Sequence, residues 1–282
     1  MQAKLAQLTA TKIDLHTHSN ASDGVLSPTE LILRAKEKQL EIIALTDHDT
    51  IDGIAEARLA AKQQQITLIT GVEISTIWQG KTIHIVGLDF DETHTAMSEL
   101  LARQARLRQE RAMEIGEKFK KFGLPNAFAE AQALTSGEVT RAHYARYLVN
   151  IGRVSNEGQA FKRYLSQGKP CYVQANWCDI PTAIEVIHQA GGIAVVAHPM
   201  RYQMTNTKIH NLIKDFQQWH GDAVEIAGGV DHNQQKMLIK WLEALDLLAS
   251  VGSDFHYPCG WIELGRNLTI PDHIKTVWQR SH

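Results

Sequence analysis

Histidines and carboxylates recur in this chain at spacings that suit metal ions. His16 and His18 stand at i and i+2, so on an extended strand both imidazoles share a face and can reach one ion. Asp254 and His256 repeat that spacing far along the chain. Asp47-His48-Asp49 places three ionisable residues directly after Ile42-Ile43-Ala44-Leu45, and Glu73 closes Leu68–Val72. The two oxygens of Glu73 could bridge two ions. Asp49 is expected instead to cap the helix that follows it. His84 lies inside Thr82–Ile85, His198-Pro199 follows Ile193–Ala197, and Asp23 sits in Ser22-Asp23-Gly24, a loop able to fold back over the others. His16, His18, Asp23, His48, Glu73, His84, His198, Asp254 and His256 exceed the roughly four ligands that one ion takes, so as a set they imply two or three clustered ions. Imidazole mixed with carboxylate, without thiolate, favours manganese, iron or zinc over magnesium. Ions clustered in this way serve hydrolysis, because they acidify a bridging water and clamp phosphoryl oxygens.

The elements that must position these groups can be read from the same sequence. Seven short apolar runs end in or contain ligand types: Lys12–Leu15, Ile42–Thr46, Thr67–Val72, Thr82–Ile85, Ile193–Ala197, Ala223–Ile226 around Glu225, and Leu247–Gly252. Runs this short and rich in Ile, Val and Leu read as strands buried on both faces. Ser27-Pro28-Thr29-Glu30 is a capping box with Pro in the first turn, opening a helix Thr29–Lys38. Further helices are expected at about Ile51–Gln64, Pro181–Ala190 and His232–Leu245, with Gly80-Lys81 as a hairpin turn. Strand alternating with helix, with polar residues at the strand C-termini, predicts a parallel α/β barrel whose site lies on one rim.

Between residues 93 and 169 the character changes. Met97–Phe122 reads as a long helix carrying Arg103, Arg106, Arg108, Arg111, Lys118, Lys120 and Lys121, followed by helical patterns at Arg141–Val149 and Gln159–Leu165. We read this as a helical cap inserted between two barrel portions, residues 1–92 and 170–282. The cationic face of the long helix is expected to be mainly solvated. Barrel alternation is expected to resume at Cys171-Tyr172-Val173.

Composition sets outer bounds. The chain has 282 residues, a formal net charge of −2 and fourteen histidines, so any nucleic-acid contact must be a local patch. The N-terminal residues lack an apolar signal core, and no run approaches a membrane-spanning length. Cys171, Cys178 and Cys259 lack zinc-knuckle spacing and read as reduced thiols of a cytoplasmic protein. No obligate protein partner is evident, and a monomer is the default.

His16-x-His18, Asp47-His48, Glu73, His198-Pro199 and Asp254-x-His256 resemble, in order, the motifs of the polymerase and histidinol phosphatase (PHP) superfamily. The resemblance spans both barrel portions. It implies a distorted (β/α)7 barrel with an inserted helical cap and a trinuclear metal site, most simply of Mn2+, with Fe2+ or Zn2+ as alternatives. Carried over by position, one ion takes His16, His18, Glu73 and Asp254. A second shares Glu73 and adds His84 and His198, and the third takes Asp23, His48 and His256. His16, His18, Glu73, Asp254 and His256 would thereby carry catalysis.

Many members have a third His where this chain has Asp23, and Asp there is similar to the nucleoside 3′,5′-bisphosphate phosphatase subgroup, which also acts as a 5′→3′ exoribonuclease on short RNA. The segment Thr140–Val149, with Ala160-Phe161 and Gly168-Lys169-Pro170, resembles the cap of that subgroup. There the implied role is to hold a second phosphate, which makes Arg141, His143 and Lys169 the candidate substrate contacts. Guanidinium forks and ammonium charges suit a phosphate. The expected substrates are a nucleoside 3′,5′-bisphosphate and 5′-phosphorylated short RNA, cleaved by a metal-bridging hydroxide. The sequence names no general acid, although His256 or a metal-bound water would serve. Rival readings are a phosphatase for another monoester such as histidinol phosphate, amidohydrolase or deaminase chemistry on a similar barrel, and a metal-bound accessory module that binds RNA.

Overall fold

The computed structural model describes residues 12–135, 137–259 and 262–279. The chain runs β1 (Ile13–Asp14), α1 (Pro28–Glu37), β2 (Ile42–Leu45), α2 (Ile54–Gln64), β3 (Thr67–Trp78) and β4 (Lys81–Leu88). The cap follows as α3 (Thr95–Lys120), α4 (Ala127–Gln132), α5 (Arg141–Asn150) and α6 (Glu157–Ala160), the last running into a π-helical turn at Phe161–Leu165. The barrel then continues as β5 (Cys178–Asp179), α7 (Ile180–Gln189), β6 (Ile193–Val196), α8 (Asn206–Gln218), β7 (Ala223–Glu225), α9 (His232–Leu245) and β8 (Leu248–Ser250).

The strands order as β1-β2-β3-β4-β6-β7-β8, with β5 paired to β3. The sheet curls until its ends meet: Leu15 N–H donates to Val251 O (3.1 Å), Asp254 N–H to His16 O (2.9 Å) and His18 N–H to Phe255 O (2.9 Å). The expectation of a parallel barrel fails at β4, which is antiparallel to both β3 and β6, and the hairpin turn expected at Gly80-Lys81 forms one residue earlier. The cause is local. Gln79 and Gly80 both have positive φ (47° and 74°), the geometry of a two-residue hairpin turn, so β3 folds straight back into β4. A hairpin leaves no room for the crossover helix that a parallel neighbour needs.

Two further expectations are corrected. Cys171–Val173 forms no strand; Cys171 N–H donates to Tyr164 O, and the side chains of Cys171 and Val173 pack into the cap core. The run between β6 and β7 carries α8, for which no helix was expected. Thr205 caps α8, and the helix buries Ile209, Leu212, Ile213 and Phe216 at i, i+3, i+4 and i+7.

The cap has its own core, in which Phe119, Tyr144, Leu148 and Leu165 are fully or nearly fully buried. Helix α3 belongs to both bodies. Its first turns bury Met97, Leu100 and Leu101 in the barrel core, and its later turns bury Ala112, Ile115 and Phe119 in the cap. Among the described residues no helix is long and apolar enough to cross a membrane.

One ion-pair network clamps the segment after the barrel to α1. Arg34 grips Glu263 with two bonds (2.9 and 2.7 Å), and Lys38 adds a third at 3.1 Å. Although partial burial opposes it, these bonds bring the Glu263 carboxyl down to about 2 from 4.5. A lowered folded-state value stabilises above the unfolded value and is lost as pH falls through the folded one. We expect Glu263→Gln to cost about 1 kcal/mol at pH 7, because the network is partly solvated. That deficit should close between pH 4.5 and 2 in urea titrations; a pH-independent deficit would count against the ion-pair account.

Candidate metal centre

All nine predicted ligands converge on one rim of the barrel, and the strand ends explain how. β1 ends just before His16, so the extended backbone holds His16 and His18 on one face of the rim, with every atom of both side chains shielded from solvent. The segment after β8 pairs with this one and presents Asp254 and His256 alongside. Glu73 lies inside β3, fully buried, and the β3–β4 hairpin carries His84 towards it. His198 follows β6 with a left-handed backbone (φ 30°), and Asp254 is also left-handed (φ 55°).

Glu73 is the hub. Its oxygens lie 3.2 Å from His16 Nε2, 3.3 Å from His18 Nε2 and 2.9 Å from His48 Nδ1. His84 Nδ1 and His198 Nε2 are each 3.0 Å away. Asp254 Oδ1 reaches His16 and His18 Nε2 at 3.4 and 3.2 Å, and Asp23 Oδ1 reaches His256 Nε2 at 3.2 Å. Ligand atoms of His18, Asp23, His48 and His256 lie within 4.8 Å of one another, as do those of His16, His18, Glu73 and Asp254, and those of His48, Glu73 and His84. The grouping thus departs in detail from the set implied by resemblance. His198 approaches Glu73, while His48 is the imidazole that groups with Glu73 and His84.

The donor set fits divalent ions. Buried Nδ1 atoms of His18, His48, His84 and His198, together with Asp23 Oδ1 and Glu73 Oε2, lack hydrogen-bond partners despite their crowding. Orphaned polar atoms of this kind each cost free energy, and four of them, His48 Nδ1, His84 Nδ1, Asp23 Oδ1 and Glu73 Oε2, belong to the close ligand groups, which suits an ion there. The charges agree. Burial would raise the Glu73, Asp254 and Asp23 carboxyls, yet the histidines around them hold all three well below the usual range. Burial, aided by His256, pushes His18 down to about 3, which leaves it a neutral ligand.

Several residues position the ligands. Asp47 accepts from Ser19 N–H (2.8 Å), Ser19 Oγ (2.6 Å) and Ser22 Oγ (2.6 Å), which folds the loop carrying Asp23 over the rim. Arg146 of α5 bonds the Asp23 carbonyl and ties the cap to the same loop. Arg201 bonds the Asp254 carboxylate and donates to Ser253 O at 3.2 Å.

Glu225 was noted in the sequence as the ligand-type residue of its strand but was not placed in the ligand set. It accepts from His16 Nδ1 at 2.7 Å and from His198 N–H at 2.6 Å. The first bond fixes the His16 proton on Nδ1 and leaves Nε2 free for an ion; the second supports the left-handed turn at His198. Glu225→Gln is expected to weaken metal binding about 10- to 100-fold, because the new amide must face one of the two donors. Calorimetric titration of metal into the metal-free variant checks this; unchanged affinity would remove Glu225 from the site.

Asp49 does not cap α2, whose N-cap is Gly53. It accepts from Ser75 N–H (2.7 Å), Gln104 Nε2 (3.1 Å) and Arg108 Nε (2.6 Å), so a buried ion pair joins the rim to α3. A carboxylate this buried takes the nearest cation in preference to a solvated cap.

Beyond His48 and His84 lies a pocket of about 100 Å³ lined by Arg108, Arg111, Arg141, Thr140, Phe161 and Trp177, among others. Arg111 stacks 5.6 Å from the Trp177 ring and Arg141 5.6 Å from the Phe161 ring. Among the described residues, neither Arg111 nor Arg141 has a carboxylate within ion-pairing distance. Burial, with Arg141 and Arg108 nearby, pushes Arg111 down to about 9, and burial also lowers Arg141. Both stay charged at neutral pH.

Of the three predicted substrate contacts, Arg141 lines this pocket. His143 is buried, and its Nδ1 accepts from Thr140 N–H at 3.0 Å as part of the α5 cap. Lys169 is exposed and outside the pocket lining. Arg108 and Arg111 were assigned to a mainly solvated face, but Gln104, Arg108 and Arg111 fall at i, i+4 and i+7, on the side of α3 turned to the barrel. That spacing was the available signal.

Residues 14–167 match the PHP domain family model. A 5′-3′ exoribonuclease of Haemophilus influenzae is 61% identical over 95% of this chain and 98% of its own length. A 3′,5′-nucleoside bisphosphate phosphatase of Chromobacterium violaceum is 40% identical over 95% of each chain. A solved structure from C. violaceum, described as an amidohydrolase with bound sulfate and no metal, superposes with a TM-score of 0.90 at 38% identity, covering 95% of both chains.

Proposed function

This chain belongs to the PHP domain family, and on that footing we propose that it is a phosphoesterase removing the 5′-phosphate of nucleoside 3′,5′-bisphosphates and 5′ nucleotides from short RNA. The observation that carries the reading is the pair of half-buried guanidiniums without a carboxylate partner, Arg111 and Arg141, beside the ligand cluster. Arg111 donates to Val173 O at 3.1 Å, but neither guanidinium has a carboxylate to offset its charge in this half-buried pocket, so the pocket suits an anion that arrives with the substrate. A substrate with one phosphate at the ligand cluster and another on these arginines carries two phosphates, as a nucleoside 3′,5′-bisphosphate does. Release of a 5′-phosphate requires that phosphate at the ligand cluster and the 3′-phosphate on the arginines. Release of a 5′ nucleotide from RNA requires the 3′-phosphodiester at the cluster and the terminal 5′-phosphate on the arginines, so the same two anion sites would serve both substrates.

His16, His18, Asp23, His48, Glu73, His84, His198, Asp254 and His256 would hold two or three divalent ions, for which we favour manganese. Bound there, such ions supply an acidified water as nucleophile and offset charge on the transferring oxygens. Glu225 and Arg201 keep His16 and Asp254 aimed, and Arg111 with Arg141 fixes the substrate's orientation. The free thiols of Cys171, Cys178 and Cys259 accord with a cytoplasmic setting.

The test is phosphate release by manganese-loaded protein from adenosine 3′,5′-bisphosphate, AMP and histidinol phosphate in parallel. Preference for the bisphosphate, followed by stepwise release of nucleotides from 5′-phosphorylated but not 5′-hydroxyl RNA, is the expected result. Equal turnover of the simple monoesters would sink the reading.

A further inference from the structure

Aromatic rings, not carboxylates, partner the two free cations of the arginine pocket. Arg111 lies over Trp177 and Arg141 over Phe161, each at 5.6 Å. Arg108, one turn before Arg111 on α3, also lies over Trp177, at 5.1 Å, so one indole carries two guanidiniums. The two differ in what they leave for a ligand. Arg108 is taken up by Asp49 and Ser75. Arg111 makes one bond, from Nε to Val173 O, and its terminal N–H groups have no partner among the described residues.

A ring face is the apt counterpart for a cation that must bind an anion. A carboxylate would occupy the same N–H groups and repel an incoming phosphate. An aromatic face stabilises the charge and leaves the donor edge of the guanidinium open. The indole is itself firmly placed. Trp177 is buried and immediately precedes β5, where Cys178 pairs with Thr76 of β3 and donates its N–H to Gln104 Oε1 at 3.4 Å. Trp177 also lines a separate cavity of about 410 Å³, together with Arg103 and Asp179. The ring is thus a partition, with Arg111 in the pocket on one side and a competing carboxylate, Asp179, in the cavity on the other.

We propose that Trp177 is a positioning residue for the second phosphate, holding Arg111 stacked with its donor edge turned into the arginine pocket. The assignment rests on the phosphoesterase reading above.

The experiment is a double-mutant cycle read in KM for adenosine 3′,5′-bisphosphate, with AMP as the substrate that lacks the second phosphate. Trp177→Leu keeps apolar bulk but removes the π face. It is expected to raise the bisphosphate KM about fivefold, the size of one partly desolvated cation–π contact. Trp177→Phe restores a smaller ring, so its rise should be only about twofold, and it carries the test if the leucine variant does not fold. The kcat for the bisphosphate and both constants for AMP should hold. In an Arg111→Ala background, Trp177→Leu should change nothing further, because the group it acts through is gone. An unchanged bisphosphate KM, equal losses on both substrates, or effects that simply multiply in the double variant would each overturn the assignment while leaving the phosphoesterase reading intact. Hydrolysis of neither substrate by the wild type overturns both.

Discussion

Replacing Glu73 with Gln is expected to empty the metal centre and to lower phosphate release by more than about 100-fold, the upper end for losing even an outer-shell partner. Glu73 is fully buried with five imidazoles within 3.3 Å of its oxygens. An amide keeps the shape but removes the carboxylate charge shared between the ligand groups, leaving Asp254 and Asp23 alone to balance the ions. The loss should show in metal content after dialysis as well as in turnover. It should also show in stability, because a ligand bound only by the native state at 100 times its Kd adds about 2.7 kcal/mol. Chelator should therefore lower the Tm of the wild type and leave that of Glu73→Gln where it was. A variant that retains its ions and turns over normally would disprove the hub role.

Arg111→Ala and Arg141→Ala should each raise KM for the nucleoside bisphosphate by about 10- to 100-fold, since a hydrogen bond to a charged group is worth about 1.5–3 kcal/mol. The KM for a 5′-monophosphate lacking the second phosphate should hardly change, and that contrast separates a lost contact from a damaged fold. If both substrates suffer alike, the arginines shape the cap and do not bind phosphate. Truncating Arg141 also relieves a half-buried charge with no carboxylate partner, so Arg141→Ala is expected to be at least as heat-stable as the wild type, whereas Arg111→Ala also gives up its bond to Val173 O. A residue kept at a cost to the folded state is characteristic of a binding site.

Much of this was legible before any coordinates. Apolar runs ending in His, Asp or Glu gave the rim, because in a βα barrel a strand's end and its site residue are adjacent in sequence. The i, i+2 pairs at His16/His18 and Asp254/His256 needed only the period of a strand. What stayed hidden depended on contacts between distant segments. Glu225 reads as an oddity in a strand until His16, 209 residues away, is seen to bond it. Arg111 and Arg108 look like any charges on a long helix until the cap folds their face inward. Asp49 shows the same limit from the other side. Its local role as a cap was sound by propensity, and Arg108, 59 residues on, outbid it. Lys169 failed to line the pocket because the turn that carries it points to solvent.

The curl of the sheet that joins the ends of β1 and β8 also sets a timetable for biosynthesis. His16, His18, His48, Glu73 and His84 are made early, whereas Asp254 and His256 follow some 240 residues after His16. At about 5–20 residues per second that interval is roughly 12–48 s. Throughout it the growing chain displays imidazoles able to capture whatever ion is at hand, with neither the closing carboxylate nor the braced geometry that discriminates among ions. The complete ligand set is therefore assembled only when the last strand docks.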